Sequence, residues 1–204
     1  MTGFDSIEDC IAAFANGEFL VVLDADDREN EGDLIIAAQD LTTEKMAFMV
    51  RYTSGLICTP LSYELTEKFK LPQMVQNNQE PHATAFTISV DAKDPSVSTG
   101  ISAYDRALTA RWLADPNTTA ENFRSPGHVF PLRAVKGGVL ERRGHTEAAV
   151  AFARLSGKTE ATAICELVRE DDGLMMRRDD CLEFGKKHNL KVCTIEQLVA
   201  HLKM

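Results

Sequence analysis

The chain has 204 residues, enough for one well-buried core. With 44% hydrophobic and 26% charged residues it has the composition of an ordinary globular protein. A formal net charge of −9 argues against a general nucleic-acid-binding surface, although a local arginine cluster can still receive an anionic substrate.

Residues 1–9 are acidic and lack an apolar segment, so no secretory signal is expected. The longest apolar runs, such as residues 148–153, are too short to span a bilayer. Five cysteines (Cys10, Cys58, Cys165, Cys181, Cys193) include no Cys-x-x-Cys pair, which suits reduced thiols better than a disulfide framework or structural zinc. A cytoplasmic protein with no membrane partner is the expectation.

In chain order, Asp5 and Glu8 form a capping box for a first helix ending before Gly17. The run at 19–23 reads as a buried strand, an acidic loop follows, and 34–38 reads as a second strand. Thr42 caps a helix to about Tyr52, with Gly55 closing it. Residues 56–59 read as a strand, and Ser62 opens a short helix to Phe69. Residues 72–84 are polar and contain two prolines, which predicts a long loop with the reach of a lid. A strand is expected over 85–90, a helix from Ser102 through Ala114, and a second loop over 115–127. Residues 128–135 form a strand candidate that Pro131 should place at an edge or interrupt. A helix over 145–155, a strand over 161–168, a helix over 180–188, a strand over 191–194 and a helix capped by Thr194 complete the chain. Without strict βαβ alternation or a Gly-x-Gly-x-x-Gly fingerprint, the expectation is an α+β protein: one domain over 1–204, an α/β sandwich with a mixed sheet flanked by helices.

The most informative segment is Asp24 to Asp33, which holds six carboxylates around Arg28, between two buried strands. That density of negative charge calls for a counter-charge, and a hard divalent cation such as Mg²⁺ prefers oxygen ligands. A solvated acidic loop is the plain alternative. An EF-hand is excluded: counting from Asp24 puts Glu29 where glycine is required, and counting from Asp27 puts Ala38 where the bidentate Glu is required.

At the start of the 145–155 helix, Arg142, Arg143 and Gly144 precede His145 and Thr146. Guanidinium groups and free helix N–H donors make a phosphate cradle, and His145 can bind a metal; a basic turn before a capped helix is the alternative. The zinc deaminase reading of His145-Thr146-Glu147 fails for want of Pro-Cys-x-x-Cys. His128, flanked by Pro126, Gly127 and Pro131, is held stiffly enough for a positioned acid or base, or is structural. Alternation at Cys165-Glu166 points one of the two inward, and a buried Glu166 would suit proton transfer. Thr99 and Gly100 can bind an anion or simply cap a helix.

Together, Asp-Asp-Arg-Glu-Asn-Glu-Gly-Asp at 26–33, Thr-Gly-Ile-Ser-Ala at 99–103, Pro-Gly-His-Val-Phe-Pro-Leu-Arg at 126–133 and Gly-His-Thr-Glu-Ala-Ala at 144–149 resemble the 3,4-dihydroxy-2-butanone 4-phosphate synthases of riboflavin biosynthesis, in order and spacing over nearly the whole chain. The resemblance implies a lyase that converts D-ribulose 5-phosphate to L-3,4-dihydroxy-2-butanone 4-phosphate and formate. It implies Mg²⁺, with Mn²⁺ as substitute and two ions per site, and a homodimer with sites at the interface. Glu29 and His145 are then the metal ligands, and His128 and Glu166 the residues essential for catalysis. Substrate contacts fall to Arg28, Glu29, Asp33, Thr99, Arg142, Arg143, Gly144, His145, Thr146 and Glu166. Two departures stand out: Ala151 replaces a usual acidic residue, and the loop at 169–173 is one residue longer than common. No GTP cyclohydrolase II domain is expected. The rivals are another metal-dependent sugar-phosphate isomerase or aldolase, and an RNA-binding module like threonylcarbamoyl-adenylate synthase.

Overall fold

A computed structural model describes residues 3–204. Its strands are β1 (Leu20–Leu23), β2 (Gly32–Ala37), β3 (Cys58–Leu61), β4 (Val90–Ala92), β5 (Phe123–Arg133), β6 (Thr162–Glu166) and β7 (Lys191–Thr194). They form one mixed sheet in the order β4-β5-β3-β6-β2-β1-β7, with β1–β7 and β3–β5 parallel. The helices are α1 (Ile7–Ala15), α2 (Thr43–Tyr52), α3 (Tyr63–Lys68), α4 (Ala103–Ala114), α5 (His145–Leu155), α6 (Arg178–His188) and α7 (Ile195–His201). None is long and apolar enough to cross a membrane.

The two-residue period of the strands divides the core. Val21, Leu23, Leu34, Ile36, Ala163 and Cys165 face one side, where α2, α4 and α6 supply Met46, Met49, Ala107, Ala110, Leu113 and Phe184. Leu20, Val22, Ile35, Ala37 and Ile164 face the other, against Phe14 of α1, Phe152 of α5 and Leu198 of α7. This is the expected sandwich. Central strands buried on both faces explain why their sequences read as continuous apolar runs.

Several boundaries differ from the sequence reading. The first helix is capped by Ser6, which accepts from the Asp9 N–H, while Asp5 binds Lys191 and the Val192 N–H of β7. Thr53, not Gly55, caps the end of α2. The strand expected at 56–59 lies two residues later, and the one expected at 85–90 is reduced to isolated bridges at Phe86 and Thr87 before β4. The last five residues of the loop expected at 115–127 are strand, because β5 starts at Phe123, where Phe123 and Arg124 pair with Ala92 and Asp91. Pro131 does not mark an edge: β5 lies between β4 and β3, and the Pro131 carbonyl accepts from the Thr87 N–H at 3.0 Å.

The β4–β5 register is what places His128. Val90 pairs with Val129 but the next residue, Asp91, pairs with Arg124, so residues 125–128 are extruded from the ladder. Gly127 is required there, since a Cβ would lie 2.0 Å from the Val90 carbonyl carbon.

Candidate functional site

At one end of the sheet, β1 delivers Asp24, β2 opens on Asp33, β6 closes on Glu166, and α5 begins beneath them with His145 and Thr146. Asp33 and Glu166 are direct cross-strand partners, so their side chains share the face covered by α5. The cleft between them is lined by Arg28, Glu29, Asp33, Arg142, His145, Thr146 and Glu166, with an apolar wall that includes Leu56, Phe86 and Ile164.

Asp24 organises the acidic loop. Its carboxylate accepts from the N–H groups of Glu29 and Glu31 and from the Arg28 guanidinium, each at 2.9 Å. Arg28 also binds the Glu29 carboxylate, so one arginine offsets two acids. The His145 ring is fixed from behind: Nε2–H donates to the Val22 carbonyl at 3.0 Å. That leaves Nδ1 aimed at Glu29 (3.6 Å) and Asp33 (3.7 Å). Contact with His145, reinforced by Arg28, holds the Glu29 carboxyl down at about 2 against the effect of burial. Burial pushes Asp33 up to about 7, with Glu166, Glu29 and Glu31 adding to the rise against the pull of His145. Burial would depress the His145 imidazole, but Asp33 first, then Glu29 and Asp24, raise it to about 9.

This arrangement fits a divalent cation. Ligand atoms of Asp24, Glu29 and His145 lie within 4.8 Å of one another. The Asp33 Oδ1 is buried and has no hydrogen-bond partner, which is costly unless something positive is added. Oxygen donors with one imidazole suit Mg²⁺ or Mn²⁺. Asp24 already accepts three hydrogen bonds within its own loop, Glu29 shares its carboxylate with Arg28, and His145 can ligate through Nδ1 once that nitrogen gives up its proton.

The cradle is present, with a difference. Gly144 caps α5 without a side-chain bond, leaving the first helix N–H groups for an anion. Arg142 lines the cleft, but its NH1 donates to the buried Glu147 at 2.5 Å, its Nε and NH2 to the His82 carbonyl at 3.1 and 3.0 Å, and NH2 to Thr84 Oγ1 at 3.2 Å. It therefore ties the 72–84 loop to α5 as well as facing the cleft. Arg142→Ala is expected to raise KM and also to lower stability by about 3 kcal/mol, because Glu147 is left buried without its counter-charge, keeping only backbone N–H donors such as Val135. Thermal melting beside steady-state kinetics checks this; an unchanged Tm would assign Arg142 to anion binding alone. Arg143 is exposed and lies outside the cleft.

Glu166 is half-buried at the cleft mouth rather than in the core, and the inward position belongs to Cys165. Its Oε2 accepts from Ser54 Oγ at 2.6 Å.

His128 forms a separate cluster with Asp91 and Gly100. The buried Asp91 accepts from the His128 backbone N–H at 2.8 Å and lies 3.0 Å from its Nδ1. The His128 side chain is 41% exposed, and the residue does not line the cleft. Gly100 (φ +98°) packs on this pair, and a Cβ there would lie 2.4 Å from both Asp91 Oδ2 and His128 Nδ1. Thr99, beside it, is exposed. The sequence reading missed Asp91, which sits 37 residues from His128, and Asp24, whose only signal was its place at the head of the acidic run.

Comparison with known proteins agrees with this geometry. The family model described as 3,4-dihydroxy-2-butanone 4-phosphate synthase matches residues 8–201. The chain is 56% identical to the 3,4-dihydroxy-2-butanone 4-phosphate synthase of Pyricularia oryzae, covering 99% of this chain and 91% of that one. It is 55% identical to the Candida albicans enzyme of the same name, covering 98% and 97%. A crystal structure of a 3,4-dihydroxy-2-butanone 4-phosphate synthase in complex with two magnesium ions superposes with a TM-score of 0.95 at 56% identity, covering 98% of this chain and 97% of that one. With its sheet order, acidic pole and α5 cradle in place, this chain belongs to the 3,4-dihydroxy-2-butanone 4-phosphate synthase family.

Proposed function

We propose that the chain is a lyase that converts D-ribulose 5-phosphate to L-3,4-dihydroxy-2-butanone 4-phosphate and formate in the presence of Mg²⁺ or Mn²⁺, supplying the four-carbon unit of riboflavin biosynthesis in the cytoplasm. The observation that carries this is one cleft in which the acidic cluster of Glu29 and Asp33 meets His145 and Thr146 at the N-terminus of α5. Glu29 and His145 would hold the cation, two ions being the number in the magnesium-bound relative. Bound there, it would supply positive charge to substrate oxygens as negative charge develops beside the carbonyl.

The chain's own groups account for the rest. Thr146 and the α5 N–H groups hold the phosphate, so that its binding energy orients the sugar. Arg28 and Asp33 border the sugar, and Glu166 at the mouth exchanges protons as the ketose enolises, loses water, rearranges, takes up water again and releases one carbon as formate.

His128 completes the site from a second copy. It is exposed on its bulge and outside its own cleft, so the reading requires a homodimer with sites at the interface. Apolar surface lies beside both clusters: Leu56 at the cleft is 50% exposed, and Ile101 beside Gly100 is 52% exposed. Asp91 sets the imidazole so that Nδ1–H is its donor and Nε2 faces outward. Asp91→Asn, which offers an amide in its place, is expected to lower kcat about 10–100-fold with the fold kept. A kcat within twofold of the parent would show that the pair is structural.

The experiment is direct. Purified protein with uniformly ¹³C-labelled ribulose 5-phosphate and Mg²⁺ should release one labelled formate per substrate, read by NMR. Pentose phosphate isomers or two- and three-carbon fragments without formate would instead establish an isomerase or aldolase.

A further inference from the structure

Ser54 lies outside every sequence motif above, in the turn between α2 and β3. It is nevertheless attached to Glu166 twice. Its N–H donates to the Glu166 carbonyl at 2.8 Å and its hydroxyl to Glu166 Oε2 at 2.6 Å. The turn that carries it is anchored on both sides. Thr53 bridges to Leu167 and bonds back to the Met49 carbonyl at 2.6 Å, and the Gly55 carbonyl accepts from Arg106 of α4 at 3.1 Å. Arg106 is itself buried. A surface turn with a buried guanidinium behind it is built to hold its position.

The Ser54 oxygen has a second neighbour, the Cys165 thiol at 3.2 Å, while that sulfur lies 3.7 Å from Glu166 Oε2. Burial pushes Cys165 up to about 11, so the thiol keeps its proton. With Glu166 ionised, Cys165 S–H can donate to Ser54 Oγ, and Ser54 O–H to the carboxylate. With Glu166 protonated, both bonds can reverse: the carboxylic acid donates to Ser54 Oγ, and Ser54 O–H donates to the sulfur. No heavy atom moves and no hydrogen bond is lost.

We propose that Ser54 is a positioning residue that holds the Glu166 carboxyl at the cleft in both of its protonation states. This rests on the proton-transfer role given to Glu166 above. A carboxyl that gains and loses a proton in each cycle otherwise drifts when its charge changes; a reversible donor and acceptor beside it keeps one geometry throughout.

The test compares Ser54→Ala, Ser54→Thr and Glu166→Gln, alone and combined. Ser54 is exposed, so alanine preserves the fold and threonine has room for its methyl group. Ser54→Ala is expected to lower kcat about tenfold with KM and Tm unchanged. Ser54→Thr is expected to recover most of that loss, and Ser54→Ala to add nothing in the Glu166→Gln background. Normal turnover in Ser54→Ala, with Glu166→Gln inactive, would overturn the proposal and leave the role of Glu166 standing. An equal loss in both backgrounds would overturn it too, by showing that Ser54 acts elsewhere. A fully active Glu166→Gln protein would remove the reading on which the proposal rests.

Discussion

Glu166→Gln is expected to lower kcat for ribulose 5-phosphate by about 10²–10⁴-fold, the range that separates a positioned proton donor or acceptor from its absence. Glutamine keeps the length of the side chain and an oxygen that still accepts from Ser54, so orientation survives and only proton transfer is removed. The residue stands at the end of β6, half-buried and facing the cleft beside Asp33. Its replacement therefore opens no cavity and strips no buried partner, and Tm should change little. KM should stay within a few-fold of the parent, because the phosphate is held by Thr146 and the start of α5 rather than by Glu166. Progress curves with formate as the product check the loss. A folded variant with parental turnover would return Glu166 to an ordinary strand-end residue.

Removing divalent metal is expected to abolish turnover completely, and adding Mg²⁺ or Mn²⁺ to restore it. Glu29 and His145 offer only two donors, whereas a hard cation takes about six, so water and substrate oxygens must supply the remainder. Such a site is weak and reversible, and dialysis against chelator should empty it. Without the cation, the Glu29 carboxylate and, above about pH 7, that of Asp33 would face the substrate's developing negative charge, with Arg28 committed to Asp24 and Glu29 and the His145 imidazolium to Glu29 and Asp33. Activity assays on protein verified as metal-free check this. Full turnover there would contradict the assignment of the acidic pole.

What could be read in the sequence follows the range of the interactions. The acidic loop, the start of α5 at His145 and the Thr194 cap of α7 are set by neighbours within a few residues, and all three stand where the sequence put them. So are the buried strands on either side of the acidic loop, because an apolar run between breakers leaves little else. The β5 segment was misread because Ser125, Pro126 and Gly127 carry the signals of a turn. Those residues are in fact a bulge, held in register by Asp91, and no local pattern announces that pairing. Arg142 was read as an anion ligand from its place before α5; its hold on His82 and Thr84 depends on where a loop sixty residues away comes to rest. Alternation along β6 left two choices for Cys165 and Glu166, and only the sheet could settle that the thiol faces the core.

The account turns on one active site being made by two copies, and a hybrid dimer measures that directly. His128→Ala and Glu166→Gln chains, carrying different tags and co-expressed, can be purified as hybrids through both tags. Neither variant alone should release formate at more than a trace. In the hybrid, one cleft carries both defects and the other carries neither, so formate release should return to about half the parental rate per dimer. If each cleft instead used its own His128, every site in the hybrid would remain broken, and a hybrid no more active than either variant alone would contradict the account.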